Sequence, residues 1–336
     1  MFLHHLFLLA CPSCFGGLNV SRTDAGDAKR VLEGALSCVA CNKEFPIVGG
    51  VPRFVPRENY ASGFGMQWIR HSRTQYDSFS GLHVSEVRFY EQTHWPRNLK
   101  GKLILEVGSG SGRFAEQAAQ TGATVVTFDY SYAVEANFAS NGQKENVLIV
   151  QADVFEMPFR AGTFDYLFCF GMLQHTPDPA RAFAALPRPL KPGGLLCADI
   201  YKFTVFRTIL QTKYWVRPFT RRMNPEKLYA RVVRWVDFMW PLASVIRKLP
   251  KGYAINWRLL IADHSYAGIV GQQAKEFSYL DTFDMLAPAY DRPATMGTFR
   301  SWGERAGLKD IEVEYSTHGL TLRATTPPAA TPRARS

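Results

Sequence analysis

Lys102-Leu103-Ile104-Leu105-Glu106-Val107-Gly108-Ser109-Gly110-Ser111-Gly112 decides the fold. Its first half is apolar apart from Lys102 and Glu106, the composition of a strand buried on both faces. Three glycines at alternate positions follow, where a backbone can turn sharply and a ligand can approach with no Cβ in the way. From Arg113 to Thr121 the pattern is helical, and a helix N-terminus favours a negative group. Strand, glycine bend and helix together mark a cofactor site, but on their own they fit NAD equally well.

The downstream sequence narrows the choice. Thr124–Phe128 reads as a second strand ending in Asp129, about 20 residues past the bend, where such folds bind ribose hydroxyls. Asn146–Ala152 is a third, ending in Asp153, and Thr163–Phe170 a fourth, ending in Gly171. Leu190-Lys191-Pro192-Gly193-Gly194 turns into a fifth, Leu195–Asp199. Strands alternating with helical stretches predict a parallel sheet.

This ordered set resembles the class I S-adenosylmethionine (SAM) dependent methyltransferases, in particular the type 11-like branch. The resemblance is carried by Glu106-x-Gly108-x-Gly110-x-Gly112, Asp129, Gln151-Ala152-Asp153 before Met157-Pro158-Phe159, Phe164-Asp165-Tyr166 and Leu190–Gly194, and covers about residues 101–201. It implies an α/β, Rossmann-like fold with a seven-stranded sheet. It also implies that Gly108, Gly110 and Gly112 line the methionine part of SAM and that Glu106 fixes that end. Asp129 would then accept from the ribose, Asp153 would read the adenine amino group, and Gly171 would belong to the same site. A carboxylate beside the bend suits SAM, a sulfonium with an ammonium, better than the pyrophosphate of NAD.

Cys11-Pro12-Ser13-Cys14 and Cys38-Val39-Ala40-Cys41 form two Cys-x-x-Cys knuckles, a spacing that suits a structural Zn²⁺. A metal-free remnant is the alternative. Four protein ligands leave no open position, so a catalytic zinc is not expected. With Glu33-Gly34, Leu36 and Phe45-Pro46-Ile47, the segment resembles the zinc-ribbon-like domain fused to some bacterial methyltransferases and the small activators of translation-linked ones. Ribosomal RNA guanine-N1 methyltransferases also carry an N-terminal zinc module, which keeps RNA open as an acceptor. Cys169 and Cys197 lie in apolar runs and read as buried thiols.

His175, in the loop Gly171–Pro179, is the candidate general base, against a structural histidine or one packed on the cofactor. Residues 64–77 resemble a segment of methyltransferases from bacterial glycan and natural-product pathways. They imply a lid with Gln67, Trp68 and Arg73 near the site, against simple packing on the core. Tyr279–Pro293 resembles a late segment of the same subgroup and reads as a short, loop-like stretch. There Asp281, Asp284 and Tyr290, with Asp291 beside them, suit sugar hydroxyls or an amine, although turn-making explains Asp291 equally well. Between them, Phe203–Leu249 mixes aromatics with arginines. It reads as a helical cap over the substrate pocket, with membrane-surface docking and base stacking as alternatives.

The chain has 336 residues, 46% hydrophobic and 20% charged, with a net charge of +10. That charge admits nucleic acid, phosphorylated substrates or an anionic membrane surface, or is simply that of a basic enzyme. No run reaches the roughly 20 apolar residues of a membrane span. Leu8-Leu9-Ala10-Cys11 looks like a lipoprotein box, but the run before it is short and holds no Lys or Arg, so a cytoplasmic protein is expected. The expected organisation is a zinc-ribbon-like module (1–56), linker and lid helices (57–100), the SAM-binding core (101–201) and a helical cap insertion (202–275). Core completion with the acceptor site (276–324) and a disordered tail (325–336) follow. The expected function is methyl transfer from SAM to a small-molecule, glycan or lipid-linked acceptor. An RNA base methyltransferase and a non-catalytic SAM-binding scaffold are the alternatives. Gly171–His175 stands where an Asn-Pro-Pro-Tyr-like base-recognition loop would follow the fourth strand, which disfavours methylation of base amino groups.

Overall fold

In the computed structural model, which describes residues 1–329 apart from the side chains at 206, 207 and 209, the N-terminal segment up to Pro52 forms a sheet of its own. Strands β1 (Leu18–Gly26), β2 (Val31–Cys38), β3 (Glu44–Val48) and β4 (Val51–Pro52) pair antiparallel in chain order. The β3–β4 turn is Gly49-Gly50 with φ of 58° and 77°, the left-handed pair that a tight hairpin of matching twist requires. Helices α1 (Ser62–Arg70), α2 (Asp77–Ser80) and α3 (Val84–Thr93) follow.

The central sheet comes next, as β5 (Leu103–Val107), α4 (Arg113–Gln120), β6 (Thr124–Asp129), α5 (Val134–Asn141), β7 (Val147–Gln151), β8 (Phe164–Cys169), α6 (Pro179–Ala185) and β9 (Leu190–Ile200). The cap consists of α7 (Val205–Leu210), α8 (Thr212–Thr220), α9 (Pro225–Ile246), α10 (Gly252–Arg258) and α11 (Gly271–Leu286). α12 (Met296–Arg305), β10 (Lys309–Ser316) and β11 (Gly319–Thr325) close the fold. The seven strands lie in the order β10-β11-β9-β8-β5-β6-β7; β9 to β7 run parallel, and β11 is antiparallel to both neighbours. This is the Rossmann-like seven-stranded methyltransferase sheet that the sequence leads one to expect. The order reverses between β5 and β8, so a crevice opens there at the carboxyl ends of the strands.

The small sheet docks on the β7 edge. Leu9 bridges Phe159, Arg53 bridges Gln151, and Leu8, Leu9, Leu36 and Ile47 share one apolar cluster with Leu148, Val150 and Phe159. An edge that would otherwise invite strand pairing is thereby covered. In the cap, Leu228, Val232, Val236, Met239 and Ala243 of α9 pack with Phe283 and Leu286 of α11 and Met66 of α1. Among the described residues, no helix is long and apolar enough to cross a membrane.

Three expectations need correction. The stretch from Tyr279 is not a loop. α11 runs from 271 to 286, across the expected boundary at 275, because Phe277, Leu280 and Phe283 recur every third residue and are all buried. Asp281 and Asp284 belong to that helix, and Asp291 follows its end. Nor does the chain lose order at Thr325. That residue pairs with Leu195, and the Thr326 hydroxyl donates to the Lys191 carbonyl at 2.5 Å. The rest of the expected tail, 330–336, lies outside the described residues. The third correction concerns Arg73 and is given with the site.

Candidate active site

The bend after β5 is a backbone structure. Gly108, Gly110 and Gly112 have φ of 84°, 52° and 92°. A Cβ on Gly108 would lie 2.5 Å from the Met172 side chain, and one on Gly112 2.1 Å from Asn137 Oδ1, so neither position accepts a larger residue without rearrangement. The N–H groups of Gly108 and Ser109 donate to the Phe128 carbonyl, and that of Gly110 donates to Asp129 Oδ2 at 2.9 Å. Asp129 Oδ1 accepts from the Ser131 N–H and hydroxyl at 2.8 and 2.7 Å. Burial nevertheless holds the Asp129 carboxyl above its ordinary range.

Glu106 lies beneath the bend, buried, with Oε2 accepting from the Thr127 hydroxyl at 2.5 Å. Burial pushes its carboxyl up to about 8, outweighing the Thr127 hydrogen bond and the charge of Arg113. The carboxyl of Asp153 caps the short turn after β7, accepting from the Phe155 N–H at 2.9 Å. Tyr60 and Tyr130 stand beside these acids with ring centroids 4.9 Å apart. Burial, then the charges of Asp153 and Asp129, raise the Tyr60 phenol.

The other half of the crevice is built by the loop after β8 together with α1 and α11. The Gly171 N–H donates to Asp199 Oδ1 at 2.6 Å, and Arg88 holds Oδ2 of the same carboxylate at 2.6 Å. His175 lies between Phe64 and Tyr201, with ring centroids at 5.1 and 5.5 Å. Its Nδ1 is 3.0 Å from the Tyr290 carbonyl. A carbonyl only accepts, so Nδ1 carries the proton and Nε2 keeps the free lone pair. Tyr290 therefore serves through its backbone, while its ring packs edge-on to Tyr60.

Asp281 and Asp284 are three residues apart on one face of α11, and each is met by a glutamine. Gln67 Nε2 donates to Asp284 at 3.4 Å, and Gln75 Nε2 to Asp281 at 3.3 Å. Tyr201 also reaches Asp284, and His264 Nε2 lies 2.5 Å from Asp281. Burial holds the Asp284 carboxyl above its usual range. Both glutamine carbonyl oxygens are buried without a partner, as are both side-chain polar atoms of Gln174, next to His175. Asp291 is a structural acid, gripped by Lys213 at 2.7 Å beside Arg217.

Trp68 lies against the bend, about 3.0 Å from where a Gly110 Cβ would stand. Arg73 is not brought to the site. It is exposed and faces a separate cleft with Tyr76, Ser78 and Glu116 on the α4–α5 side, although Gln75, two residues on, meets Asp281. Several residues that sequence reasoning missed converge instead. Arg88 and Arg113 both lie over the Phe114 ring, at 5.2 and 4.4 Å. His318, on the β10–β11 turn, faces the same two arginines; burial and their charges hold it far below its usual range. Arg113 directly follows the glycines and could have been flagged. Arg88, Tyr60 and His318 carry no local signal.

Residues 105–198, from β5 to β9, match the family model described as a methyltransferase domain. This segment is a class I SAM-dependent methyltransferase domain. Over 132 residues the chain is 35% identical to the ubiquinone biosynthesis O-methyltransferase of Acinetobacter baumannii (strain AYE), covering 38% of this chain and 54% of that protein. The chain thus spans about half the length of such curated relatives. An uncharacterized chloroplastic methyltransferase of Arabidopsis thaliana is 23% identical over 239 residues, 64% of this chain and 67% of its own. A SAM-dependent methyltransferase from Aquifex aeolicus is similar at 13% identity and a TM-score of 0.40, over 80% of this chain and 97% of that one.

Outside the methyltransferase domain, the cysteine knuckles repeat one backbone design. The N–H of Phe15 donates to the Cys11 carbonyl and that of Asn42 to the Cys38 carbonyl, at 2.8 and 3.0 Å. Both Phe15 and Asn42 have positive φ, 59° and 58°. The four Sγ atoms lie within 4.8 Å of one another, with Cys14–Cys38 at 3.4 Å and Cys11–Cys41 at 3.7 Å. Tetrahedral Zn²⁺ at its usual Zn–S length sets sulfurs about 3.8 Å apart, so these thiols fit that ion.

Proposed function

We propose that this protein transfers the methyl group of SAM to a hydroxyl or amine of a small-molecule or glycan acceptor. One observation carries the reading. Gln67 and Gln75 each spend their amide on a carboxylate of α11 and leave a buried carbonyl unpaired. An unmet buried acceptor costs about 1–3 kcal/mol, which a ligand rich in O–H or N–H groups removes. The flanking carboxylates add further acceptors of the same kind.

The donor half suits a cation. Glu106 is a buried acid with no ion-pair partner among the described residues, and the bend is a cradle that a Cβ would fill. Glu106, Asp129, Asp153 and the three glycines would hold SAM, with Gly171 on the far side of the crevice. Bound there, SAM supplies an electrophilic methyl on a sulfonium. His175 Nε2 accepts the acceptor's proton as its oxygen or nitrogen attacks, with Nδ1 locked on the Tyr290 carbonyl. Tyr201, Asp284, Gln67 and Gln75 orient the acceptor, and Trp68 shields the bend from water. Zn²⁺ on Cys11, Cys14, Cys38 and Cys41 would hold the small sheet together without touching the chemistry. We place the protein in the cytoplasm, where SAM is made and thiols stay reduced.

The test is methyl-labelled SAM incubated with purified protein and, separately, a metabolite extract, a glycan fraction and ribosomal RNA. Label in the metabolite or glycan fraction is expected. Label in RNA alone would contradict the acceptor assignment, and donor binding with no label anywhere would leave a scaffold.

A further inference from the structure

The long cap helix α9 buries one face and leaves the opposite one bare. Trp235, Phe238, Leu242 and Val245 are 40%, 76%, 51% and 61% exposed. Steps of three and four place them on a single stripe. Leu249, exposed in the turn just past the helix, extends the stripe. α10 is tied alongside by Trp235 Nε1 to the Leu259 carbonyl (3.1 Å) and Asn256 Nδ2 to the Ala243 carbonyl (3.0 Å), and it exposes Tyr253 and Ile255. Isolated exposed apolar residues are ordinary, but a contiguous helical stripe of this kind marks a contact surface.

The charge around the stripe has one sign. Arg231 and Arg234 are exposed one turn before Trp235 and Phe238, and Lys248 and Lys251 are exposed past the far end. The acids of α9 are already engaged elsewhere: Glu226 pairs with Arg70, and Asp237 with Lys275 on the α11 side. Among the described carboxylates, none pairs with Arg231, Arg234, Lys248 or Lys251. Residues 221–258 hold nine Lys or Arg against two Asp or Glu, so much of the molecule's +10 resides here.

We propose that this face of α9, with the turn that follows it, docks on the surface of an anionic lipid bilayer. An apolar stripe with cations at both ends matches the acyl and headgroup layers of such a surface. A second copy of the chain fits poorly, since a two-fold pairing of the stripe sets basic end against basic end whichever way the helices cross. Nucleic acid fits poorly too, because beyond Trp235 and Phe238 the stripe is aliphatic, and Leu242, Val245 and Leu249 offer no ring for a base to stack on. The buried face of α9, anchored on α11, keeps the helix flat against the protein, so it lies along the interface rather than entering it. The inference is independent of which acceptor is methylated.

The test is co-sedimentation of the full chain with phosphatidylcholine vesicles, with and without phosphatidylglycerol. Binding only to the phosphatidylglycerol vesicles, weakening with added salt, is expected. Phe238→Ser with Leu242→Ser should lower the bound-to-free ratio about tenfold or more, and Arg231→Gln with Arg234→Gln about threefold or more. Unchanged circular dichroism and melting would show that the variants remain folded, as these exposed positions predict. Absence of vesicle binding, or variants that bind like the parent, would overturn the proposal. So would a parent dimer in solution that Phe238→Ser converts to a monomer.

Discussion

The Gly110 N–H donates to Asp129 Oδ2 at 2.9 Å, so the acid at the end of β6 holds the bend at the end of β5. Two strands that are neighbours in the sheet thereby present one preformed surface. Donor affinity and local stability then depend on the same few groups. Asp129→Ala should cost about 1–3 kcal/mol of unfolding free energy by stranding the N–H groups of Gly110 and Ser131. Urea melts of parent and variant would measure it.

The glycines differ in what they tolerate. Gly112→Ala adds a Cβ 2.1 Å from the buried Asn137 at φ 92° and should cost about 2–4 kcal/mol. Gly162 has φ 66° with open space around it, so Gly162→Ala should cost only about 1 kcal/mol. The same melts would compare them. Equal losses would mean that the contact with Asn137 plays no part.

Glu106 gives a pH signature. Its folded carboxyl stands at about 8 against an ordinary 4.5, so the fold favours the protonated form. The stability this contributes is fully present below 4.5 and is lost as pH rises from there through about 8. Glu106→Gln should flatten that fall, which amounts to a few kcal/mol at most. A cationic donor reverses the preference, so binding near neutral pH should release a proton. Calorimetry in buffers of different ionisation enthalpy would count it.

The strands around the bend were legible in the sequence because both their faces are buried, which leaves continuous apolar runs such as Val147-Leu148-Ile149-Val150. The knuckles were legible because their ligands are local. The acceptor side was legible only in part. Asp281 and Asp284 stood out as residues but not as one face of a helix, because the polar residues interleaved with Phe277, Leu280 and Phe283 mask their recurrence. Tyr60, Arg88 and His318 reach the site from segments far apart in the chain, and no local pattern announces such a meeting. Arg73 was misplaced because the turn after α1 sends neighbouring side chains different ways: Gln75 meets Asp281 while Arg73 faces outward.

His175 should act on chemistry rather than donor binding. His175→Ala should lower kcat about 100-fold or more once an acceptor is in hand, with donor affinity little changed. A loss of donor affinity alone would make it a packing residue.

The four thiols should carry metal. Freshly purified protein should contain one zinc per chain, and Cys38→Ser should lose it and lower Tm by about 5 °C or more. The drop would reach the main domain because Leu9 and Ile47 share their cluster with Leu148 and Val150. Metal-free protein with an unchanged Tm would make the module a remnant.

Titration calorimetry of SAM and its demethylated product into the full chain and into Asp129→Ala tests the central claim most directly. Both compounds should bind the parent, and the substitution should weaken them about tenfold or more. No binding to the parent, or equal binding to the variant, would contradict a donor site at the glycine bend.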